Sequence, residues 1–308
     1  MNRLVAVTGA TGFVGLHLVS ALARRGLKLR LLVRRWSPLP SLPGVEAEIV
    51  QGDLADERAL GRLVTGADVV IHAAGLIKAR SAADFRKVNA LGTARLSALA
   101  PQARFVLLSS LAAREPQLSA YAESKREAER VVAGRTGPWL AVRAPAVYGP
   151  GDRETLAYFR TAVCGLAPRP WLNGACLALI HVEDLAEVLA AAVERPPPDS
   201  VYEIDDGREG GYGHGDMAAA AGAALGRSII SLPVPRIAME AVGWANGLRQ
   251  ALGGTTQILT RAKVREIFHA DWTVHDRRLA AAIGFRPRYD LNSGFRDTVI
   301  WYRRQGWL

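Results

Sequence analysis

A glycine-rich turn near the start of the chain constrains the fold more than any other segment. It runs from Thr8 to Gly15 (TGATGFVG), after the apolar run Leu4–Val7 and before a segment with apolar residues at helical spacing. A strand, a glycine turn and a helix in this order are typical of a dinucleotide-phosphate site. Gly9 would permit the tight turn, Gly12 would let the backbone approach a phosphate, and Gly15 would let the helix pack closely on the sheet. The residues expected to line this site are Gly9, Thr11, Gly12, Phe13, Val14 and Gly15.

Predicted strands and helices alternate along the first half of the chain. Apolar runs predict strands at 27–35, 45–50, 67–74 and 103–108, and apolar residues at helical spacing predict a helix at 82–99. Such alternation predicts an α/β fold with a doubly wound parallel sheet. Ligands of these sheets bind beyond the carboxyl ends of the strands, which is where the glycine turn lies.

Two arginines at the end of the second predicted strand indicate which dinucleotide binds. Arg34 and Arg35 end that strand, and no acidic residue lies between Gly15 and Glu46. In this architecture an acidic residue would bind the ribose 2′-hydroxyl of NAD, whereas an arginine would bind the 2′-phosphate of NADP. The sequence therefore favours NADP over NAD. The alternative is that both arginines are ordinary surface charges.

Small and polar residues follow the third and fourth predicted strands. Asp53 is expected to accept a hydrogen bond from the adenine amino group, to cap the helix that begins near Asp56, or to do both. The small residues of the segment 73–75 would leave room for the cofactor to lie across the edge of the sheet. His72 is interpreted as a packed histidine without a catalytic role.

A tyrosine and a lysine four positions apart are the candidate catalytic pair. Tyr121 and Lys125 begin the helix that follows the fifth strand, so they share one face of it. An ammonium nearby lowers the pKa of a tyrosine, so Tyr121 could transfer a proton to or from a carbonyl or alcohol oxygen. Lys125 could also hold the nicotinamide ribose, Ser110 could bond the same substrate oxygen, and the cofactor would carry the hydride. The alternative is an exposed amphipathic helix.

Taken together, these segments resemble the extended short-chain dehydrogenases/reductases, also called the NAD-dependent epimerase/dehydratase family. The resemblance covers essentially the whole chain and is carried by TGATGFVG (8–15), GDL (52–54), HAAG (72–75), VNALGT (88–93), SS (109–110), YAESK (121–125), RAPAVYGPGD (143–152) and HVED (181–184). It implies a Rossmann sheet followed by a smaller C-terminal α/β substrate domain.

The resemblance also implies roles for single residues. Ser110, Tyr121 and Lys125 match the family's catalytic triad, with Ser109 as the alternative to Ser110 in that short run. Asn89 matches a position that supports the hydrogen-bond network of the active site and kinks its helix. The other residues that match cofactor-binding positions are Asp53, Leu54, Ala73, Ala74, Gly75, Ser109, Tyr121, Lys125, Ala144, Pro145 and Val147.

The expected domain organisation divides the chain twice. Residues 1–150 and 177–205 are assigned to the dinucleotide-binding domain, and 151–176 and 206–308 to the substrate-binding domain. A helix is expected at 154–167. The apolar, helical segment 237–248 is predicted to form a wall of the substrate domain, and a membrane anchor is the less favoured alternative.

The composition excludes several other classes of protein. The net charge is +10, but the arginines are scattered and form no basic stripe interleaved with aromatic residues, so a nucleic-acid partner is not expected. Cys164 and Cys176 lack metal-ligand spacing, so no metal site is expected and a reducing compartment fits. The sequence shows neither a signal-peptide pattern nor an apolar run long enough to span a bilayer. A cytoplasmic protein is therefore predicted.

Three functions remain open from the sequence. The first is an NAD(P)-dependent epimerase or dehydratase that transfers hydride on a nucleotide sugar. The second is an NADPH-dependent reductase of a small or lipid-like ketone or aldehyde, favoured by Arg34 and by the short segment of ten residues between Ser110 and Tyr121. The third is a non-catalytic cofactor-binding assembly protein on the same fold. The resemblance further implies that outward-facing helices near 82–99 and 120–133 could pair in a homodimer.

Overall fold

The computed structural model describes residues 3–34, 46–251 and 260–308. Within these ranges the strands are β1 (Leu4–Thr8), β2 (Lys28–Val33), β3 (Ala47–Gln51), β4 (Val69–His72), β5 (Arg104–Ser110), β6 (Trp139–Ala144), β7 (Ala146–Tyr148), β8 (Leu166–Pro170), β9 (Cys176–Leu177), β10 (Leu179–His181), β11 (Val201–Glu203), β12 (Tyr212–Gly213), β13 (Ile230–Val234) and β14 (Asp271–Trp272). The α-helices are α1 (Phe13–Ala23), α2 (Glu57–Val64), α3 (Ala82–Phe85), α4 (Gly92–Leu99), α5 (Ala120–Ala133), α6 (Leu156–Val163), α7 (Val182–Glu194), α8 (His214–Leu225), α9 (Arg236–Ala251), α10 (Arg261–Ile267), α11 (Arg278–Ile283) and α12 (Leu291–Arg304).

The main sheet has seven strands in the order β11-β6-β5-β4-β1-β2-β3, and all its pairings are parallel. This confirms the doubly wound α/β fold. The chain order reverses between β1 and β4, where Thr8 is in register with both Leu32 and His72. Crevices at such reversal points bind ligands in open α/β sheets.

The central strands β1, β4 and β5 are mainly apolar because both faces of the sheet are covered there. Val5, Val7, Ile71 and Val106 are fully buried, as expected for a parallel sheet between two layers of helices. Burial of each such side chain stabilises the fold by about 1.5–3 kcal/mol relative to exposure.

The chain separates into two compact units. The first comprises Met1–Ala144, Leu185–Ile204 and Asp276–Phe285, and the second comprises Pro145–Asp184, Asp205–His275 and Arg286–Leu308. The limits of the dinucleotide-binding and substrate-binding domains expected from the sequence stay a prediction.

The second unit is built from short sheets around an aromatic core. Its strand pairs are β7 with β10 and β8 with β13, and its third sheet has the order β12-β9-β14. Tyr148, Phe159, Phe295 and Tyr302 are fully buried there, with ring centroids of neighbours 5.0–5.7 Å apart. Gly294 of α12 makes this packing possible, because a Cβ on it would lie 2.2 Å from the Tyr148 hydroxyl oxygen.

The helix expected at 154–167 is shorter than predicted. It spans only Leu156–Val163, and strand β8 follows at Leu166–Pro170. Gly165 has a φ of +82°, and left-handed glycines of this kind end helices. Pro168 and Pro170 then favour extended backbone.

Candidate active site

The glycine turn has the local structure predicted for a phosphate site. Gly9 has a φ of +77°, and its carbonyl accepts a hydrogen bond of 2.9 Å from the Gly12 N–H. A Cβ on Gly9 would lie 2.6 Å from the Ala74 backbone nitrogen, and one on Gly15 would lie 1.9 Å from the Gly9 carbonyl oxygen. Helix α1 begins directly after Gly12, so the N–H groups of its first turn face the turn.

A cleft of about 860 Å³ lies beside this turn. Its lining includes many residues expected from the sequence to bind the cofactor: Gly9, Thr11, Gly12, Arg34, Asp53, Leu54, Ala73, Ala74 and Gly75. The cleft is therefore formed at the point where the chain order reverses, by the turns that follow several neighbouring strands. Glycine backbone and basic side chains suit a dinucleotide that carries phosphates, so the residues present fit the expected cofactor.

Three basic residues of the cleft were not identified from the sequence. They are Arg80, Lys87 and Arg95. Two of them, Lys87 and Arg95, have the spacing of one helix face together with Asp84 and Val88, which line the cleft as well. That spacing is visible in the sequence and would have pointed to this wall.

Asp53 lines the cleft but does not cap helix α2. Its carboxylate accepts a hydrogen bond of 2.7 Å from the Ala55 N–H, which closes a local turn. The cap is Asp56, whose carboxylate accepts from the Ala59 N–H at 3.0 Å. The sequence left open whether Asp53 caps the helix, binds adenine or does both. The cap is Asp56, so only the adenine contact of Asp53 stays a prediction.

Asn89 lies in a π-helical turn, Arg86–Leu91, that interrupts the helix expected at 82–99. Its side-chain oxygen accepts from the Leu76 N–H at 2.7 Å, and its amide donates to the Leu76 carbonyl and to the Ser124 hydroxyl. Ser124 in turn donates to the carbonyl of Tyr121. Asn89 thereby connects a wall of the cleft with the helix of the candidate catalytic pair.

Tyr121 and Lys125 lie on the same face of α5, as predicted. The Lys125 ammonium is buried and donates to the Leu108 carbonyl at 2.7 Å. It would lie 3.8 Å from a Cβ on Gly75, which is a residue of the cleft. The Tyr121 ring is partly exposed and lies 5.9 Å from the ring of Phe85.

Ser109 and Ser110 have different surroundings. The Ser109 hydroxyl is buried and donates to Glu129 at 2.6 Å. Ser110 is partly exposed at the end of β5, and its hydroxyl accepts from the Ala112 N–H at 3.2 Å. A cofactor contact of Ser109 stays a prediction, and its bond to Glu129 argues against a contact through the hydroxyl.

His72 is a packed histidine, as interpreted from the sequence. Its ring nitrogens lie 2.6 Å from the Thr8 hydroxyl and 3.0 Å from the Thr93 hydroxyl. Burial lowers the pKa of His72 to about 3, and the positive charge of Lys125 acts in the same direction. The neutral ring thus holds β1, β4 and α4 together.

The other cofactor residues predicted from the sequence are not among the described residues that line the cleft. Phe13 and Val14 open helix α1, and Ala144 ends β6 in the first unit. Pro145 and Val147 belong to the second unit, and Arg35 lies outside the described residues. The roles of these residues stay predictions.

Comparison with known proteins identifies the family. A sequence model of the NAD dependent epimerase/dehydratase family matches residues 5–204. The chain belongs to this family. It is therefore an enzyme of an NAD-dependent family that acts on a small molecule, which confirms the resemblance seen in the sequence.

Members and structural neighbours of the family cover nearly the whole chain. A ceramide reductase of Caulobacter vibrioides is 43% identical over 312 residues, 99% of this chain and 96% of that protein. The crystal structure of gox2253 matches with a TM-score of 0.80 at 22% identity and full coverage of both chains. The complex of MoeE5 with UDP-glucose and NAD matches with a TM-score of 0.74 at 23% identity over 99% of both chains. At these identities the two structures show the fold alone.

A buried cluster of charges connects the candidate catalytic helix α5 with strands β6 and β11. The Glu129 carboxylate accepts two hydrogen bonds from the Arg143 guanidinium, at 2.8 and 2.9 Å. Arg143 and Arg114 also lie 3.5 and 3.6 Å from Glu203. Arg126 also lies 3.4 Å from Glu129, so three positive and two negative side chains form the cluster, and Ser109 is fixed by the same cluster.

We expect Glu129→Gln to be strongly destabilising. Removing one charge leaves Arg143 buried without full compensation, which should lower the free energy of unfolding by about 3 kcal/mol or more. Glu127→Gln is the matched control, because Glu127 lies on the same helix and pairs with the largely exposed Arg86; its effect should be below about 1 kcal/mol. Urea unfolding measures both, and equal effects would contradict the assigned role of the cluster.

The pKa of Lys125 predicts a pH dependence of activity. Burial lowers the pKa of its ammonium to about 8, and the carboxylate of Glu129 opposes this shift. Below about pH 8 the lysine is charged and can stabilise the phenolate of Tyr121. Above this pH the charge is lost, so kcat/KM should decline. Between pH 8 and the ordinary value of 10.5 the unfolded chain binds more protons, so stability should rise with pH there. The ordinary pKa of lysine is about 10. A pH-rate profile that stays flat up to about this pH would contradict the prediction.

Proposed function

We propose that this enzyme is an NADPH-dependent reductase that converts a ketone on a lipid-like substrate into an alcohol. The placement of Lys125 beside Gly75 of the cleft, with Tyr121 on the same face of α5, supports proton transfer in this cleft. The end-to-end similarity to a ceramide reductase carries the proposal, because it supports both the direction of the reaction and the substrate class.

The side chains divide the work between proton transfer and positioning. The bound nicotinamide supplies the hydride. The Tyr121 hydroxyl donates a proton to the carbonyl oxygen as negative charge develops there. The Ser110 hydroxyl donates a hydrogen bond to the same oxygen, and the Lys125 ammonium stabilises the phenolate that remains. Asn89 fixes the start of α5 through Ser124.

The preference for NADPH rests on Arg34. This exposed arginine directly follows β2 and lines the cleft, where a 2′-phosphate would be held in this architecture. Arg80, Lys87 and Arg95 add positive charge to the same cleft.

We expect Arg34→Ala to raise the KM for NADPH roughly 10- to 100-fold, because a charge-assisted hydrogen bond contributes about 1.5–3 kcal/mol. The KM for NADH should change little, since NADH lacks the 2′-phosphate. Arg24→Ala removes an arginine that pairs with Glu187 on the surface and should alter neither constant. Equal losses with both cofactors would contradict the assignment of Arg34.

Purified enzyme with NADPH and a long-chain ketone in detergent tests the function. We expect steady loss of the nicotinamide absorbance and formation of the corresponding alcohol, measured by mass spectrometry. Epimerisation of a nucleotide sugar without net cofactor consumption would overturn the proposal in favour of the first function expected from the sequence. The homodimer and the cytoplasmic location stay predictions.

A further inference from the structure

Large apolar side chains are exposed in one part of the second unit. They lie in two short segments, 166–171 and 230–244, and the most exposed are Ile237 at 78%, Ile230 at 67%, Trp171 at 64% and Trp244 at 61%. Isolated apolar residues on a surface are normal, whereas a contiguous group marks an interaction site. We call this group the apolar surface, and it comprises Leu166, Trp171, Ile230, Leu232, Ile237, Val242 and Trp244.

The two-stranded sheet of β8 and β13 contributes one of its faces to this surface. Leu166 is in register with Ile230, and both are exposed, whereas the adjacent Ala167 is buried. Since side chains alternate along a strand, one face of the sheet packs on the unit and the other is apolar and exposed. An ordinary half-exposed sheet would carry polar residues there.

Helix α9 has its apolar stripe on the exposed side. Gly243 is buried, and a Cβ on it would lie 3.0 Å from the backbone of Thr260 and Arg261, where α10 begins. Ile237, Ala241 and Trp244 share another face of the helix at helical spacing, and all three are exposed. A surface helix of a water-soluble protein has the reverse orientation.

The helix and the sheet are continuous with each other. The Trp171 N–H donates to the Val234 carbonyl at 2.9 Å, and Val234 ends β13 two residues before α9 begins at Arg236. The two exposed tryptophans thus lie in segments that are joined through the end of one strand.

The charge around the apolar surface has one predominant sign. Between residues 227 and 265 the sequence has six arginine or lysine residues and a single acidic residue, Glu240. Arg236, Arg249 and Arg261 are exposed. Basic residues beside exposed tryptophan and isoleucine are typical of helices that lie in the interface of an anionic membrane.

We propose that the apolar surface binds peripherally to membranes with anionic lipids, with α9 lying in the plane of the interface. No helix of the described residues is long and apolar enough to cross a bilayer, so the helix would rest on the membrane. A second copy of the chain is a poorer occupant, since a symmetric contact would bring two sets of basic residues together. Membrane binding goes beyond the reductase function and does not depend on it.

Co-sedimentation of the 308-residue chain with lipid vesicles tests the proposal. We expect binding to vesicles that contain phosphatidylglycerol, weak binding to pure phosphatidylcholine, and loss of binding as salt screens the arginines. The double variant Ile237→Glu/Trp244→Glu should bind at least about tenfold more weakly, since it places charge where the apolar stripe enters the interface. Ile300→Glu is the matched control, because Ile300 is exposed on α12 outside this surface, and its binding should equal that of the wild type.

Further measurements separate the possible outcomes. Equal thermal melting of the variants shows that they fold, and unchanged turnover of a short-chain, water-soluble ketone shows that the reductase function is intact. The proposal is overturned if the wild type does not bind anionic vesicles or if the double variant binds them like the wild type. It is also overturned if the only effect of the double variant is the dissociation of a dimer of this chain. Failure of the reductase assay together with intact vesicle binding would overturn the proposed function and leave this surface standing.

Discussion

Tyr121→Phe is expected to lower kcat by about 10³-fold, because a positioned proton donor contributes roughly 10²–10⁴-fold to such a reaction. The substitution removes one oxygen and keeps the ring that lies against Phe85. Stability and the affinity for NADPH should therefore stay close to those of the wild type. The measurement is single-turnover reduction at saturating cofactor, together with cofactor titration by fluorescence.

Tyr202→Phe is the matched control for this substitution. The Tyr202 hydroxyl donates to the Pro198 carbonyl at 2.7 Å within the same unit, so the control loses a hydrogen bond of about 1 kcal/mol but no catalytic group. Its kcat should be that of the wild type. If Tyr121→Phe turns over like Tyr202→Phe, Tyr121 is not the proton donor, whatever the substrate is.

The parts of the fold that depend on local pattern could be predicted from the sequence. The glycine turn, the alternation of apolar strands with helices and the four-residue spacing of Tyr121 and Lys125 each involve residues close together in the chain. Parallel sheets of this kind also follow strong rules of handedness and order. The position of the cleft follows from the same rules, and the structure places nine of the predicted cofactor residues there.

The second unit could not be predicted in the same way. Strands β9, β12 and β14 are two residues long, too short for any alternation to be visible. They pair across more than thirty positions of the chain, as Cys176 does with Gly213. Such strands are stabilised by tertiary contacts, and these contacts cannot be predicted from a local sequence pattern.

The candidate catalytic helix α5 shows the same limit at the level of single residues. At the level of the sequence, the preference for Ser110 over Ser109 depends only on the alignment of a short run. The structure separates them because β5 alternates, so that one hydroxyl meets the buried Glu129 and the other does not. Glu129 on α5 in turn pairs with Arg143, which lies fourteen residues further along the chain on strand β6.

Gly15→Ala is expected to have the largest effect on the cofactor site. Its Cβ would lie 1.9 Å from the Gly9 carbonyl oxygen, and the obstacle is backbone, which cannot move aside as a flexible side chain can. Either helix α1 or the turn must shift, at a cost of about 3 kcal/mol or more in the free energy of unfolding. The same shift should weaken NADPH binding about 100-fold, since the phosphate contacts depend on this geometry.

Gly61→Ala in helix α2 is the matched control for this change, because a Cβ on Gly61 would meet no atom within 4 Å. It should stabilise the protein by about 0.5–1 kcal/mol, as expected for alanine in an open helix position. Gly12→Ala adds a milder test: its Cβ would lie 3.2 Å from the same carbonyl oxygen, so cofactor affinity should fall while folding is preserved. Thermal melting and cofactor titration of the three variants check these outcomes. If Gly15→Ala matches Gly61→Ala in both measurements, the turn does not hold the cofactor.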